Sequence, residues 1–228
     1  MFEEFLKREK AIFDILNTLS GANLTFVVIG GYGVSAYKHR FSVDADIVVS
    51  HEDAKKFEEV LGKNGFKRTA SRELENIYSS KFVRYETSGV TKVSVDLLVG
   101  GVGVRQTSAA FGFDLLLANS DYRKITGAAG EVRALVPNKE VLIAMKLHSG
   151  RLTDLRDVVA LSRGVDAELI RNLLLRGDKK RVKSHLIKLN SILKTKGFMD
   201  SFKGVFIEKK FDVDMESVER ICGLADGM

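Results

Sequence analysis

Asp44 and Asp46 stand two residues apart at the head of an apolar run, Ile47-Val48-Val49. The two-residue side-chain period of a strand puts both carboxylates on one face. Paired acids are poor core material and good ligands for a divalent metal. A third acid, Asp96, lies in the middle of the strongly apolar segment 91–99. An ionised carboxylate buried there needs a partner, because an unpaired buried charge is expensive and raises its own pKa until it neutralises. A salt bridge to a Lys or Arg elsewhere is one solution. A metal ion shared with Asp44 and Asp46 is the other, and the Asp-x-Asp pair favours it.

These acids must be positioned by the elements around them. Residues 24–29 read as a buried strand, Gly30-Gly31 as a turn, 32–39 as a short helix and 46–49 as a second strand. Gly31-Tyr32-Gly33-Val34-Ser35-Ala36 also satisfies the G-x-G-x-x-G/A dinucleotide pattern. Three features oppose that use. The helix has room for about two turns, the acids sit at the start of the next strand, and a hairpin follows where repeated βαβ units are required. No Gly-Lys-Ser or Gly-Lys-Thr supports a P-loop.

An amphipathic helix is predicted at the start of the chain, ending at Gly21, and another over 52–63. Segments 81–87 and 91–99 flank Ser88-Gly89 and form a hairpin signal. Further strands are expected over 114–118 and 131–136, with 119–130 unassigned. After the only proline, Pro137, the pattern becomes helical throughout: Asn138 caps a helix running to His148, Thr153 caps one over 154–162, and others cover 169–175 and 182–193. The expectation is an α/β (α+β) domain with a mixed sheet flanked by helices over 1–137, then a helical domain over 138–228.

With 228 residues, 45% hydrophobic and 29% charged, the chain can bury a substantial core. Its apolar runs are too short to span a membrane, and Met1-Phe2-Glu3-Glu4 is unlike a signal peptide. A cytoplasmic location is expected. A single cysteine, Cys222, excludes a disulfide framework within the chain, and histidines at 39, 51, 148 and 185 have no zinc-ligand spacing. Net charge is +6, but between Arg171 and Lys210 there are 12 Lys or Arg against 3 acids, a regional +9 that leaves −3 elsewhere. Such a region suits a polyanion such as RNA, and equally suits a solvated helical face whose lysine stems cover apolar surface.

Taken together, Gly30-Gly31, Asp44-x-Asp46 and Asp96 resemble the nucleotidyltransferases of the DNA polymerase β superfamily. Arg40-x-Ser42-x-Asp44-x-Asp46 is similar to the signature of the AbiEii-like small nucleotidyltransferases of toxin-antitoxin and abortive-infection systems, and Lys146 followed by Arg151-x-x-Asp154-x-x-Asp157 is similar to that group's downstream pattern. The resemblance covers residues 24 to 162 and implies transfer of a nucleoside monophosphate from an NTP to a hydroxyl acceptor, RNA such as tRNA or a protein, with release of pyrophosphate. It implies Mg²⁺ or Mn²⁺ held by Asp44, Asp46 and Asp96, with Asp96 on the acceptor side. Gly30 and Gly31 then admit the triphosphate close to the backbone. Ser42 and Arg40 donate to phosphate oxygens, Lys146 pairs with the β/γ-phosphates, and Asp157 orients Lys146 or Arg151. A cognate toxin or antitoxin partner is also implied. The alternative is a nucleotide- or partner-binding module on the same fold without transfer activity.

Overall fold

In the computed structural model, which describes residues 2–73, 81–89 and 91–228, the chain divides into two units. One comprises Met1–Gly103 with Phe111–Pro137, the other Val104–Ala110 with Asn138–Met228. The first unit is built on a seven-stranded sheet in the order β3-β4-β5-β2-β1-β9-β8. These strands are β1 (Phe26–Val28), β2 (Asp44–Val49), β3 (Phe66–Glu73), β4 (Lys81–Thr87), β5 (Ser94–Val99), β8 (Ser120–Gly127) and β9 (Gly130–Pro137). A small second ladder pairs β6 (Gly101–Val104) with β7 (Ala109–Gly112).

The sheet is mixed: β2 runs parallel to β5, and β1 parallel to β9. The pairs β1–β2, β3–β4, β4–β5 and β8–β9 are antiparallel. Alternation in the central strands produces two faces. Ala45, Ile47 and Val49 of β2, Val95, Leu97 and Val99 of β5, and Val83 and Tyr85 of β4 are all buried. This face is covered in part by α3 (Ala54–Lys63), whose Phe57 meets Phe26 edge to face with ring centroids 6.0 Å apart. Helix α1 (Phe2–Gly21) packs on β9 and buries Ile12, Phe13, Ile15, Leu16 and Leu19.

Between β1 and β2 runs only the six-residue α2 (Gly30–Ser35). Since β2 returns antiparallel to β1, the glycine motif does not belong to a βαβ crossover, which requires parallel strands. The topology removes the dinucleotide reading. Two other expectations change. Phe113–Ala118 forms a short helix, α4, in place of a strand, and the unassigned stretch contains β8, which pairs with β9 along its whole length.

The second unit is helical: α5 (Lys139–Ser149), α6 (Leu152–Leu161), α7 (Ala167–Leu174), α8 (Lys179–Ile192), α9 (Lys196–Phe206) and α10 (Met215–Gly223), with a terminal 3₁₀ turn. Asn138 caps α5, its side chain accepting from the Val141 N–H at 3.0 Å. Gly150 ends α5 with φ +62°. Residues 104–110 depart from a simple division at 137. They belong to the helical unit because the Asp178 N–H donates to the Thr107 carbonyl at 2.7 Å, Arg181 donates to the Gln106 carbonyl at 2.9 Å, and the Thr107 hydroxyl meets His148 Nδ1 at 2.9 Å. Among the described residues no helix is long and apolar enough to cross a membrane.

Candidate functional site

Strand pairing decides which of the predicted acids meet. Asp46 is the register partner of Asp96 across the parallel β2–β5 ladder, and Asp96 is that of Arg84 across the antiparallel β5–β4 ladder. Directly paired residues share a face. Asp46, Asp96 and Arg84 therefore form one row across three strands. Asp44, Ser94 and Glu86 form the adjacent row on the same face.

Asp96 is nearly buried, its side chain 5% exposed, whereas Asp44 and Arg84 retain 32% and 36%. The Arg84 guanidinium grips Asp96 with two hydrogen bonds, Nε to Oδ1 at 2.7 Å and Nη2 to Oδ2 at 2.6 Å, and reaches Asp44 Oδ2 at 3.5 Å. Such two-pronged, charge-assisted pairing is the strong form of an ion pair. The hydrogen bonds that Arg84 donates to Asp96, then the charges of Asp96, Asp44 and Glu86, raise the Arg84 pKa despite the opposing effect of burial. Burial, followed by the negative charge of Asp96, pushes the Asp44 pKa above the usual carboxylate range, and Arg84 only partly offsets this. Negative charge is concentrated here. Among the described residues, however, no three His, Cys, Asp or Glu side chains are arranged to hold a metal ion together.

The glycine turn is fitted to the acids. Gly30 has φ +63°, and a β-carbon there would collide with the Asp46 carboxylate. A β-carbon on Gly31 would collide with the Ser42 side chain. Backbone thus lies directly against the carboxylate-bearing strand, as close approach of a phosphate chain requires. The Ser42 hydroxyl donates to the Asp44 carbonyl at 3.2 Å, while the Tyr32 hydroxyl donates to the Ser42 carbonyl at 3.2 Å. Ser35 Oγ donates to the Arg40 carbonyl at 2.8 Å, and Arg40 Nε donates to the Phe41 carbonyl at 3.2 Å. Ser42 and Arg40 therefore help to shape the loop that delivers Asp44.

Lys146 lies in the helical unit. Its ammonium is held by Asp154 Oδ1 at 2.9 Å and Asp157 Oδ2 at 2.8 Å, with only 12% of the side chain exposed. Asp154 also accepts from Ser149 Oγ at 2.7 Å and from Arg151 Nε at 2.6 Å. Burial opposes the charge on Lys146, but Asp157 and Asp154 outweigh it and hold the pKa above the ordinary lysine value. Burial likewise opposes ionisation of Asp154, and Lys146, Arg151 and Ser149 together bring its pKa below the usual value. The motif Lys146, Arg151, Asp154, Asp157 is one contiguous ion cluster joining α5 to α6.

Sequence reasoning missed Arg84 and Glu86. Both are at alternate positions of a predicted strand, and their proximity to Asp96 depends on hairpin register, which the intervening loop does not reveal. The salt-bridge partner considered for Asp96 is Arg84.

Residues 11–103, less than half of the chain, match the family described as aminoglycoside-2''-adenylyltransferase. No curated protein matches the sequence. Among solved structures, the crystal structure of ANT(2'')-Ia in complex with adenylyl-2''-tobramycin is 15% identical, with a TM-score of 0.50 over 72% of this chain and 92% of that one. The solution structure of the antibiotic-resistance factor ANT(2'')-Ia is 14% identical, with a TM-score of 0.50 over 79% and 95%. The lincomycin-bound lincosamide antibiotic adenylyltransferase LnuA is 18% identical, with a TM-score of 0.46 over 69% and 98%. The fold is that of nucleotidyltransferase enzymes, and the matched segment carries all three acids together with Arg84.

Proposed function

We propose that the protein is a metal-dependent nucleotidyltransferase that moves AMP from ATP to a hydroxyl acceptor and releases pyrophosphate. The observation that carries this reading is the seating of the Gly30-Gly31 turn directly on the strand bearing Asp44 and Asp46. Backbone without a side chain at Gly30 stands against Asp46, which shares a strand face with Asp44, a combination suited to a triphosphate and its cation.

The donor set fits a hard divalent ion. Asp44 and Asp46 supply carboxylate oxygens, and Mg²⁺ is commonly held by one or two carboxylates with phosphate and water completing its shell. When bound, the ion would neutralise charge on the phosphates and the leaving pyrophosphate. The chain's own residues perform the remaining tasks. Gly30 and Gly31 admit the phosphates, and Ser42 and Tyr32 hold the loop before Asp44 in place. Asp96, one strand further on, orients the acceptor hydroxyl and takes its hydrogen bond. The hydroxyl oxygen forms a bond to the α-phosphorus as the bond to pyrophosphate breaks, and the hydroxyl proton leaves to a carboxylate or water.

Lys146 was expected to meet the β/γ-phosphates, but two carboxylates already compensate its ammonium. We assign Lys146, Arg151 and Asp157 to stabilising the α5–α6 junction. Recognition of an RNA or protein acceptor, and of a toxin or antitoxin partner, would fall to surfaces outside this cluster. Small hydroxylated antibiotics enter the acceptor panel because the aminoglycoside-2''-adenylyltransferase family matches residues 11–103.

The test is incubation with α-labelled ATP, Mg²⁺ or Mn²⁺, and a panel of aminoglycoside, lincosamide, tRNA and protein acceptors. Labelled product and pyrophosphate are expected from the native chain, with at least a 100-fold loss in Asp44→Asn and Asp46→Asn. Equal labelling by native and variant chains would sink the assignment.

A further inference from the structure

We infer that Arg84 permanently fills the acceptor-side cation position, so that the site takes one divalent ion per chain, on Asp44 and Asp46, and Asp96 is not a metal ligand. This inference rests on the metal-dependent reading above and specifies how many ions that site holds.

Arg84 is the register partner of Asp96 on the neighbouring strand, so its approach is set by backbone pairing along β4 and β5. Both carboxylate oxygens of Asp96 are engaged by the same guanidinium, at 2.7 and 2.6 Å. Arginine is planar and remains charged at any working pH, and its fork matches a carboxylate in two-pronged geometry. A second ion on Asp96 would have to displace this pairing at a side chain only 5% exposed. The displaced guanidinium would also leave the carboxylates that stabilise its charge. Its other neighbours, Asp44 and Glu86, are negative and stabilise it where it is.

Among the described residues no three carboxylates are grouped to hold a metal ion together. Asp44 and Asp46 would hold the one ion, while Asp96 and Arg84 form an internal pair beside it. Arg84 is thus a positioning residue. It fixes the direction of the Asp96 carboxylate and supplies the positive charge that a second ion would otherwise bring.

Counting bound Mn²⁺ by electron paramagnetic resonance, in the presence of a non-hydrolysable ATP analogue, tests this without reference to turnover. The native chain should saturate at one Mn²⁺. Arg84→Met, which keeps the apolar stem and removes the charge, should saturate at two. Asp96→Asn should retain one Mn²⁺ with affinity within threefold of native, an outcome independent of whether the Arg84 variant folds. Two ions in the native chain, one ion in a folded Arg84→Met, or a tenfold loss of Mn²⁺ affinity in Asp96→Asn would each overturn the inference. Failure of the native chain to bind any Mn²⁺ with nucleotide would overturn the metal-dependent reading itself, a result distinct from an incorrect count.

Discussion

Gly30 shows how little freedom the site allows at a single residue. Its φ of +63° is costly for other residues, and its missing side chain leaves the space that the Asp46 carboxylate occupies. Gly30→Ala is expected to destabilise the chain by about 1–3 kcal/mol through backbone strain and displacement of Asp46, and to weaken Mn²⁺ binding at least tenfold. Thermal denaturation and metal titration measure the two effects. Asp44, Asp46 and Asp96 stood out as candidates because acids at these places in apolar strands have no use in a core. Arg84 was not, since an arginine in a half-exposed strand looks like any surface cation until its cross-strand partner is known.

At the scale of elements, the α5–α6 junction is held by charges that neutralise one another out of water. Removing one partner leaves the others buried and unpaired, so Lys146→Met is expected to cost about 3–5 kcal/mol in chemical denaturation. Arg151→Ala, at a side chain 66% exposed, should cost about 1 kcal/mol or less after solvent screening. Helix α5 also carries His148, fully buried, with Nε2 donating to the Leu173 carbonyl at 3.3 Å and Nδ1 accepting from Thr107 Oγ1 at 2.9 Å. Burial lowers its pKa to about 4. The unfolded chain therefore binds a proton more readily than the native one. The stability that His148 contributes is full above its unfolded value near 6.5 and is lost as pH falls toward 4, by up to about 3 kcal/mol. Melting temperature measured across that interval should fall less steeply in His148→Gln than in the native chain.

The helices after Pro137 were readable from their apolar spacing, and Asn138 caps α5 as expected, whereas the expected cap Thr153 lies inside α6, whose N-cap is Arg151. Segment 114–118 was misread because its short Leu115-Leu116-Leu117 run fits a buried strand as well as a helical turn. Local pattern could not decide, and α4 is only six residues long. The antiparallel return of β2 onto β1 was likewise hidden, as strand direction depends on partners far away in sequence.

At the scale of the whole molecule, sequence order and structural membership part company at residues 104–110, which run from the end of β6 into the start of β7 yet belong to the helical unit. Thr107 contributes a carbonyl to the N–H of Asp178, the cap of α8, and a hydroxyl to His148. Thr107→Val is expected to cost about 1–2 kcal/mol by leaving buried Nδ1 without its donor. Hydrogen exchange should accelerate in α5, α7 and α8, with the amides of β1 and β2 unchanged. A composition-based boundary could not find this excursion, because seven residues alter neither charge nor hydropathy of the flanking segments.

The direct pairing of Asp46 with Asp96 across β2 and β5 has a consequence for how this protein matures. A slip of one residue between those strands would turn one carboxylate to the opposite face while leaving every strand formed. Such a misaligned chain would show native secondary structure by circular dichroism yet lack the row of Asp46, Asp96 and Arg84. Metal titration therefore serves as a proofreading assay for refolded material, separating chains that have merely regained their sheet from those that have regained it in the correct alignment.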